Sequence, residues 1–267
     1  MGESIVITSG KGGVGKTTIT ANLGVSLSQL GFLTCLVDAD IGLRNLDLVL
    51  GIENKVKYNL MDISRGLCEL EDAITYDNRS KKMLSLIAAS QAHFKEDLSK
   101  DKFSEVIKEL KDKYHYVLID SPAGIEYGFK NSIRNADRAI IVVNPEVSSI
   151  RDADRVIGIL ESEKIKKIQL VINRVNLDLL KRKEMITLED IQDILDIPLI
   201  GVIQEDSSFL ISSNTGKPVS YQKDNILSSV FVTIAKRIAG ESIPVDNIVD
   251  VNKTESLWNK VKKSLKI

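Results

Sequence analysis

Residues 10–18 read Gly-Lys-Gly-Gly-Val-Gly-Lys-Thr-Thr, and no other stretch narrows the possible folds as much. Ahead of it lies Ile5-Val6-Ile7, an apolar run of buried-strand length. Behind it, Ile19, Leu23, Leu27 and Leu30 recur at helical spacing. A strand, a glycine-rich turn and a helix in that order satisfy G-x-x-x-x-G-K-[ST], the loop that cradles phosphate. Without Cβ atoms, Gly10, Gly12, Gly13 and Gly15 let the backbone curl until successive N–H groups, those of Val14 and Thr18 among them, point at one anion. The opening of the helix adds partial positive charge. Lys16 is placed to reach the β- and γ-phosphates, and the Thr17 hydroxyl to ligate Mg²⁺.

The rest of the chain alternates between two periods. Strand patterns fall at 5–8, 33–37, 84–88, 116–120, 139–144, 168–173 and 199–203. Helical patterns fall at 19–30, 102–113, 148–163, 187–195 and 225–239. Several of the strands are apolar throughout, as expected of a parallel sheet covered on both faces. The pattern predicts a doubly wound α/β fold, with ligands beyond the carboxyl ends of the strands. We divide the chain into one domain over 1–240, a linker over 241–252 that contains Pro244, and a tail over 253–267. Composition closes off other classes. The 36 Lys and Arg nearly balance the 37 Asp and Glu, so no global field draws in nucleic acid. Cys35 and Cys68 stand alone, which suggests neither a zinc site nor a disulfide. No run of 18 apolar residues is present to span a membrane. The first strand begins near residue 4, which leaves no room for a presequence.

Carboxylates follow two of the strands. Val37-Asp38-Ala39-Asp40 closes the second, and the alternation of Asp38 and Asp40 predicts that they face one side. Near a phosphate-bound Mg²⁺, one can hold the metal's waters and the other can orient or deprotonate an attacking water. Leu118-Ile119-Asp120 ends a Walker B strand, whose Asp120 reaches Mg²⁺ through water. Gly124, just beyond, can offer an N–H to the γ-phosphate and hinge a switch loop. In Asn144-Pro145-Glu146-Val147-Ser148-Ser149, Ser148 or Ser149 is expected to cap the next helix. Asn173-Arg174 ends another strand, where a side-chain amide can read an adenine edge. No N-K-x-D guanine motif is present, which favours ATP with Mg²⁺ as the cofactor pair.

The second lysine of the loop, Lys11, gives the variant K-G-G-x-G-K-T. With D-I-G-L-R-N-L-D at 40–47, D-S-P-A-G-I-E at 120–126 and N-P-E-V-S-S-I-R-D at 144–152, the chain resembles the deviant Walker A ATPases, and among them the branch that places division septa. The resemblance covers residue 3 to about 240. It implies a slow, partner-stimulated ATPase that forms a homodimer on binding ATP. Lys11 would cross to the partner's nucleotide. Asp40 would activate water, and Asp38 would lie near the metal. It also places Arg44 and Asn45 on the first switch loop and Asp152 at the dimer and partner surface. Asn173, Arg174 and the loop bearing Gln204 and Asp206 would surround the base. That branch usually has proline where Gln204 stands. Its regulators are of the MinE and MinC kinds. Its members sit on the inner face of the bacterial cytoplasmic membrane, or in the stroma and inner envelope of plastids, and are soluble with ADP. The competing expectation is a partition-type ATPase that binds DNA non-specifically, which needs a basic surface patch.

The tail carries the remaining signal. On a helix, Leu257, Trp258, Val261 and Leu265 share one stripe, bordered by Lys260, Lys262 and Lys263. Five lysines face one glutamate from residue 253 onward. An apolar stripe with tryptophan and lysines describes a helix that lies in an anionic membrane surface.

Overall fold

A computed structural model describes residues 1–93, 97–222 and 224–245. The tail at 253–267, with Leu257, Trp258, Lys260, Val261, Lys262, Lys263 and Leu265, lies outside the described residues. The strands are β1 Glu3–Thr8, β2 Thr34–Asp38, β3 Thr75–Tyr76, β4 Leu84–Ile87, β5 Tyr116–Asp120, β6 Arg138–Val143, β7 Lys167–Val175 and β8 Leu199–Gln204. The helices are α1 Lys16–Gln29, α2 Leu46–Leu50, α3 Leu60–Ser64, α4 Leu70–Ala73, α5 Lys100–Lys113, α6 Tyr127–Ile133, α7 Val147–Ser162, α8 Leu177–Lys181, α9 Leu188–Leu195, α10 Ser208–Thr215 and α11 Ile226–Ile238.

One eight-stranded sheet runs in the order β3-β4-β2-β5-β1-β6-β7-β8. Every pairing is parallel except β3 with β4. This is the expected doubly wound α/β architecture. The apolar strands have the predicted cause. Along β1, Val6 enters one core with α5, α7 and α9, while Ile5 and Ile7 enter the other with α1 and α11. Both faces are therefore covered, and strand residues are buried whichever way they point. The chain turns back around β1, with β5 on one side and β6 on the other. That reversal opens a crevice at the carboxyl end of β1, where the phosphate loop lies.

Two departures from expectation concern the sheet's margins. β3 has two residues and pairs antiparallel with β4, too short to leave a periodic signal. The β7–β8 ladder shifts register between Leu170 and Val171 and again between Ile172 and Val175. The linker expected over 241–252 lies among the described residues only as far as 245. Its first residues are pinned: Arg237 on α11 donates to the carbonyls of Ile243 and Pro244, and Val245 packs on the core. Ser148 and Ser149 do not cap α7, because the helix begins one residue earlier, at Val147. Ser149 Oγ instead accepts from Asn144 N at 3.1 Å. No helix among the described residues is long and apolar enough to cross a membrane.

Candidate nucleotide site

The phosphate loop is built as its glycines require. Gly13 and Gly15 take φ of 77° and 101°, in the left-handed region, and Gly15 is the N-cap of α1. A Cβ on Gly15 would stand 2.5 Å from Asn173 Nδ2, and one on Gly10 would stand 2.4 Å from the carbonyl oxygen of Asp152. Gly12 faces the Cβ of Ala123, at 3.8 Å from where its own would be. The loop is thus pressed between the end of β7, the start of α7 and the turn after β5. Gly15→Ala should displace Asn173 and strain the backbone, costing about 2 kcal/mol of stability. Thermal melting checks the cost, and ATP affinity should fall with it.

Lys16 is 8% exposed and donates from Nζ to Ser9 Oγ at 3.1 Å. Ser9 Oγ in turn donates to the Lys11 carbonyl at 2.7 Å. Ser9 was not singled out in the sequence; its one signal is its place directly before Gly10. Thr20, whose Oγ1 donates to Asp120 Oδ1 at 3.4 Å, has no sequence signal beyond its place one turn after the loop.

Asp38 and Asp120 stand opposite one another at the ends of β2 and β5, each 1% exposed. Burial and the Asp120 charge push the Asp38 carboxyl well above its usual range. Asp120 is pushed up to about 6 by burial, and the Thr17 hydroxyl and the Lys16 ammonium hold it back. Asp38 accepts from the N–H groups of Asp40 at 3.1 Å and Leu46 at 3.2 Å. Two desolvated carboxylates with so little cationic compensation fit a divalent cation. Among the described residues no three His, Cys, Asp or Glu side chains cluster as metal ligands. Thr17, Asp38 and Asp120 form the smaller set that suits Mg²⁺, which keeps waters and substrate oxygens. Asp40 does not share the burial of Asp38. β2 ends at Asp38, so the two do not alternate along one strand, and Asp40 is half-buried on the turn that follows.

The residues expected at switches and partner surfaces are each held by nearby groups. Arg44 takes φ 42°, and its Nε pairs with buried Asp47 at 2.6 Å, while Asn45 is exposed. Gly124 has φ 87° and donates its N–H to the Ser9 carbonyl at 3.3 Å, which ties the turn after β5 to the phosphate loop. Lys11 reaches across the loop to Glu146 Oε2 at 2.7 Å and Ser148 Oγ at 3.1 Å. The Lys11 ammonium holds the Glu146 carboxyl below its ordinary value. Asp152, half-buried, lies with its backbone against Gly10.

The residues expected around the base divide. Asn173 is 7% exposed and its Nδ2 donates to the Val14 carbonyl at 2.7 Å, so the amide braces the phosphate loop. Arg174 is exposed with φ 56°. Gln204 ends β8 opposite Val175. Asp206 accepts from Ser208 N at 2.7 Å and Ser208 Oγ at 2.5 Å, and these bonds hold its carboxyl low.

A strand–loop–helix phosphate cradle at the turning point of a parallel sheet, with two buried aspartates beside its threonine, defines a P-loop nucleotide-binding domain. The chain belongs to the family described as the CobQ/CobB/MinD/ParA nucleotide binding domain, whose model matches residues 5–219. Within that family it belongs with the MinD proteins. It is 45% identical over 254 residues to the septum site-determining protein MinD of Bacillus subtilis (strain 168), covering 95% of each chain. Among solved structures, the MinC:MinD cell division protein complex of Aquifex aeolicus matches at TM-score 0.86 and 45% identity, over 92% of this chain and 99% of that one. The Pyrococcus horikoshii septum site-determining protein MinD complexed with Mg-ADP matches at TM-score 0.80 and 34% identity, over 91% and 100%.

Proposed function

We propose that the chain is an ATPase that dimerises around bound ATP, thereby attaches to a membrane, and serves in placing the division septum of a bacterium or a plastid. The observation that carries the reading is the contact of Lys16 and Thr17, on the loop after β1, with buried Asp120, which has buried Asp38 opposite it, in a chain whose relatives bear the name septum site-determining protein. Thr17 would ligate Mg²⁺ directly, and Asp38 and Asp120 would hold it through water. The metal would supply charge neutralisation to the phosphate oxygens. Lys16 and the loop N–H groups bind and orient the β- and γ-phosphates. Asp40, at the switch mouth, orients the attacking water and accepts its proton. Arg174, Gln204 and Asp206 border the side from which the base would enter, and Asn173 would meet it only while still bracing Val14.

Lys11 supplies the dimer's contribution. On this reading it leaves Glu146 and enters the partner's site, where a cation beside the γ-phosphate stabilises the developing charge. Its exposed ion pair costs little to break. Arg44, Asn45, Gly124 and Asp152, on the same end of the sheet, would face the partner or regulators of the MinE and MinC kinds. Lys11→Ala should therefore leave ATP binding intact and lower dimer-dependent turnover about a hundredfold or more. Nucleotide titration and a turnover assay at varied protein concentration check both halves.

The whole reading is tested by sedimentation with anionic liposomes, with ATP and with ADP, for the full chain and for one truncated after Val251. ATP-dependent binding that disappears on truncation is expected. Binding that ignores the nucleotide or survives truncation would refute the membrane switch and move attention to non-specific DNA binding.

A further inference from the structure

The route by which the chain leaves the domain is fixed by one side chain. Helix α11 packs on the face of the sheet that also carries α1. Arg237, in its last turn, reaches under the edge strand and donates from Nη1 to the Ile200 carbonyl at 2.8 Å, at the amino end of β8. Its Nε donates to the Ile243 carbonyl at 2.9 Å, and Nη2 donates to the carbonyl of Pro244. Next to it, the Ile238 carbonyl accepts from Arg138 at 3.0 Å, which ties the same helix end to β6. Beyond a turn at Gly240, with φ 99°, the chain reaches Val245, which packs on the opposite core, the one shared by α5, α7 and α9. Residues 241–245 therefore pass beneath the base of β8 from one face of the sheet to the other. This base is the end remote from the phosphate loop.

We propose that Arg237 is a positioning residue for the C-terminal tail: by bonding β8 and two successive carbonyls of the following segment at once, it fixes Val245 as the anchor ahead of that tail. The inference rests on the reading that this tail binds membrane. A planar guanidinium has donors enough for three fixed carbonyls, whereas the single nitrogen of lysine cannot reproduce that fork. The consequence is one of tether length. With the clamp in place, seven residues separate Val245 from Lys253; without it, fourteen separate Ile238 from Lys253. Once a tether exceeds the span between sites, the effective concentration of the second tail of a dimer falls roughly as the −3/2 power of its length. Doubling the tether therefore weakens two-tail binding about threefold.

The test uses the full-length chain with ATP and Mg²⁺ on vesicles containing phosphatidylglycerol. Arg237→Ala and Arg237→Lys should each bind vesicles about threefold more weakly than the wild type, with ATP affinity unchanged. Hydrogen exchange over 239–247 should quicken while that of α1 stays the same. Val245→Ser frees the far end of the strap without touching α11, and should act in the same direction should the arginine variants fail to fold. The proposal is overturned by exchange that does not quicken, or by quickened exchange with unchanged vesicle affinity. Wild-type vesicle binding that survives truncation after Val251 would instead overturn the membrane reading, and with it the purpose of the clamp.

Discussion

Lys16→Ala should lower ATP turnover about a thousandfold, near 4 kcal/mol of transition-state free energy. The size follows from where the ammonium sits. It is nearly buried, bonded to Ser9 Oγ, and close enough to Asp120 to lower that carboxyl's pKa. Water cannot replace it there, and a charge placed beforehand in a dry site needs no reorganisation when the phosphoryl group accumulates negative charge. Arginine in its place should not restore activity, because the planar group does not fit the space a single ammonium fills beside Ser9. Turnover within tenfold of the wild type, with the variant's fold confirmed by circular dichroism, would show that Lys16 is not the group that binds the terminal phosphates.

Asp120→Asn should make the protein without Mg²⁺ and nucleotide more stable at neutral pH, while removing its response to the metal. The Asp120 carboxyl is raised from 3.8 to about 6, chiefly by burial. The folded state therefore holds that proton more tightly than the unfolded chain does. Its stabilising contribution is complete below 3.8 and is lost as pH rises through about 6. A shift of about two units corresponds to about 3 kcal/mol. At pH 7.5 the variant should melt about 5–10 °C above the wild type, and the gap should close between about pH 6 and pH 4. Adding Mg²⁺ with nucleotide should raise the wild-type melting temperature and leave that of the variant little changed. A variant that melts lower at pH 7.5, with an unaltered pH slope, would refute the electrostatic account.

What the sequence disclosed depended on the length over which a feature is written. The phosphate loop occupies contiguous residues, and the long strands and helices repeat often enough to declare their periods. Helices of four to seven residues, such as α4 and α6, complete too few turns to show one. The face-to-face placement of Asp38 and Asp120 depends on β2 lying beside β5, although β2 is followed in the chain by other elements. The bond between Lys11 and Glu146 spans 135 residues. Asn173 illustrates the limit most clearly. Its residue type suits a base contact, but the loop's close approach at Gly15 turns its amide toward Val14. Sequence shows which hydrogen-bonding groups are available; only the packing shows which are already engaged.

The two margins of the sheet bear on how this protein can associate. An open sheet of eight strands has two rims of backbone N–H and C=O groups, each a template on which another chain could pair. On one rim, β3 caps β4 for only two residues before the chain turns away. On the other, the register shifts of the β7–β8 ladder bend and twist the outermost strand out of line. Among the described residues neither rim offers a long, straight docking edge. On the proposed function, in which ATP decides when two copies join, blunted rims remove the most general form of association that needs no nucleotide.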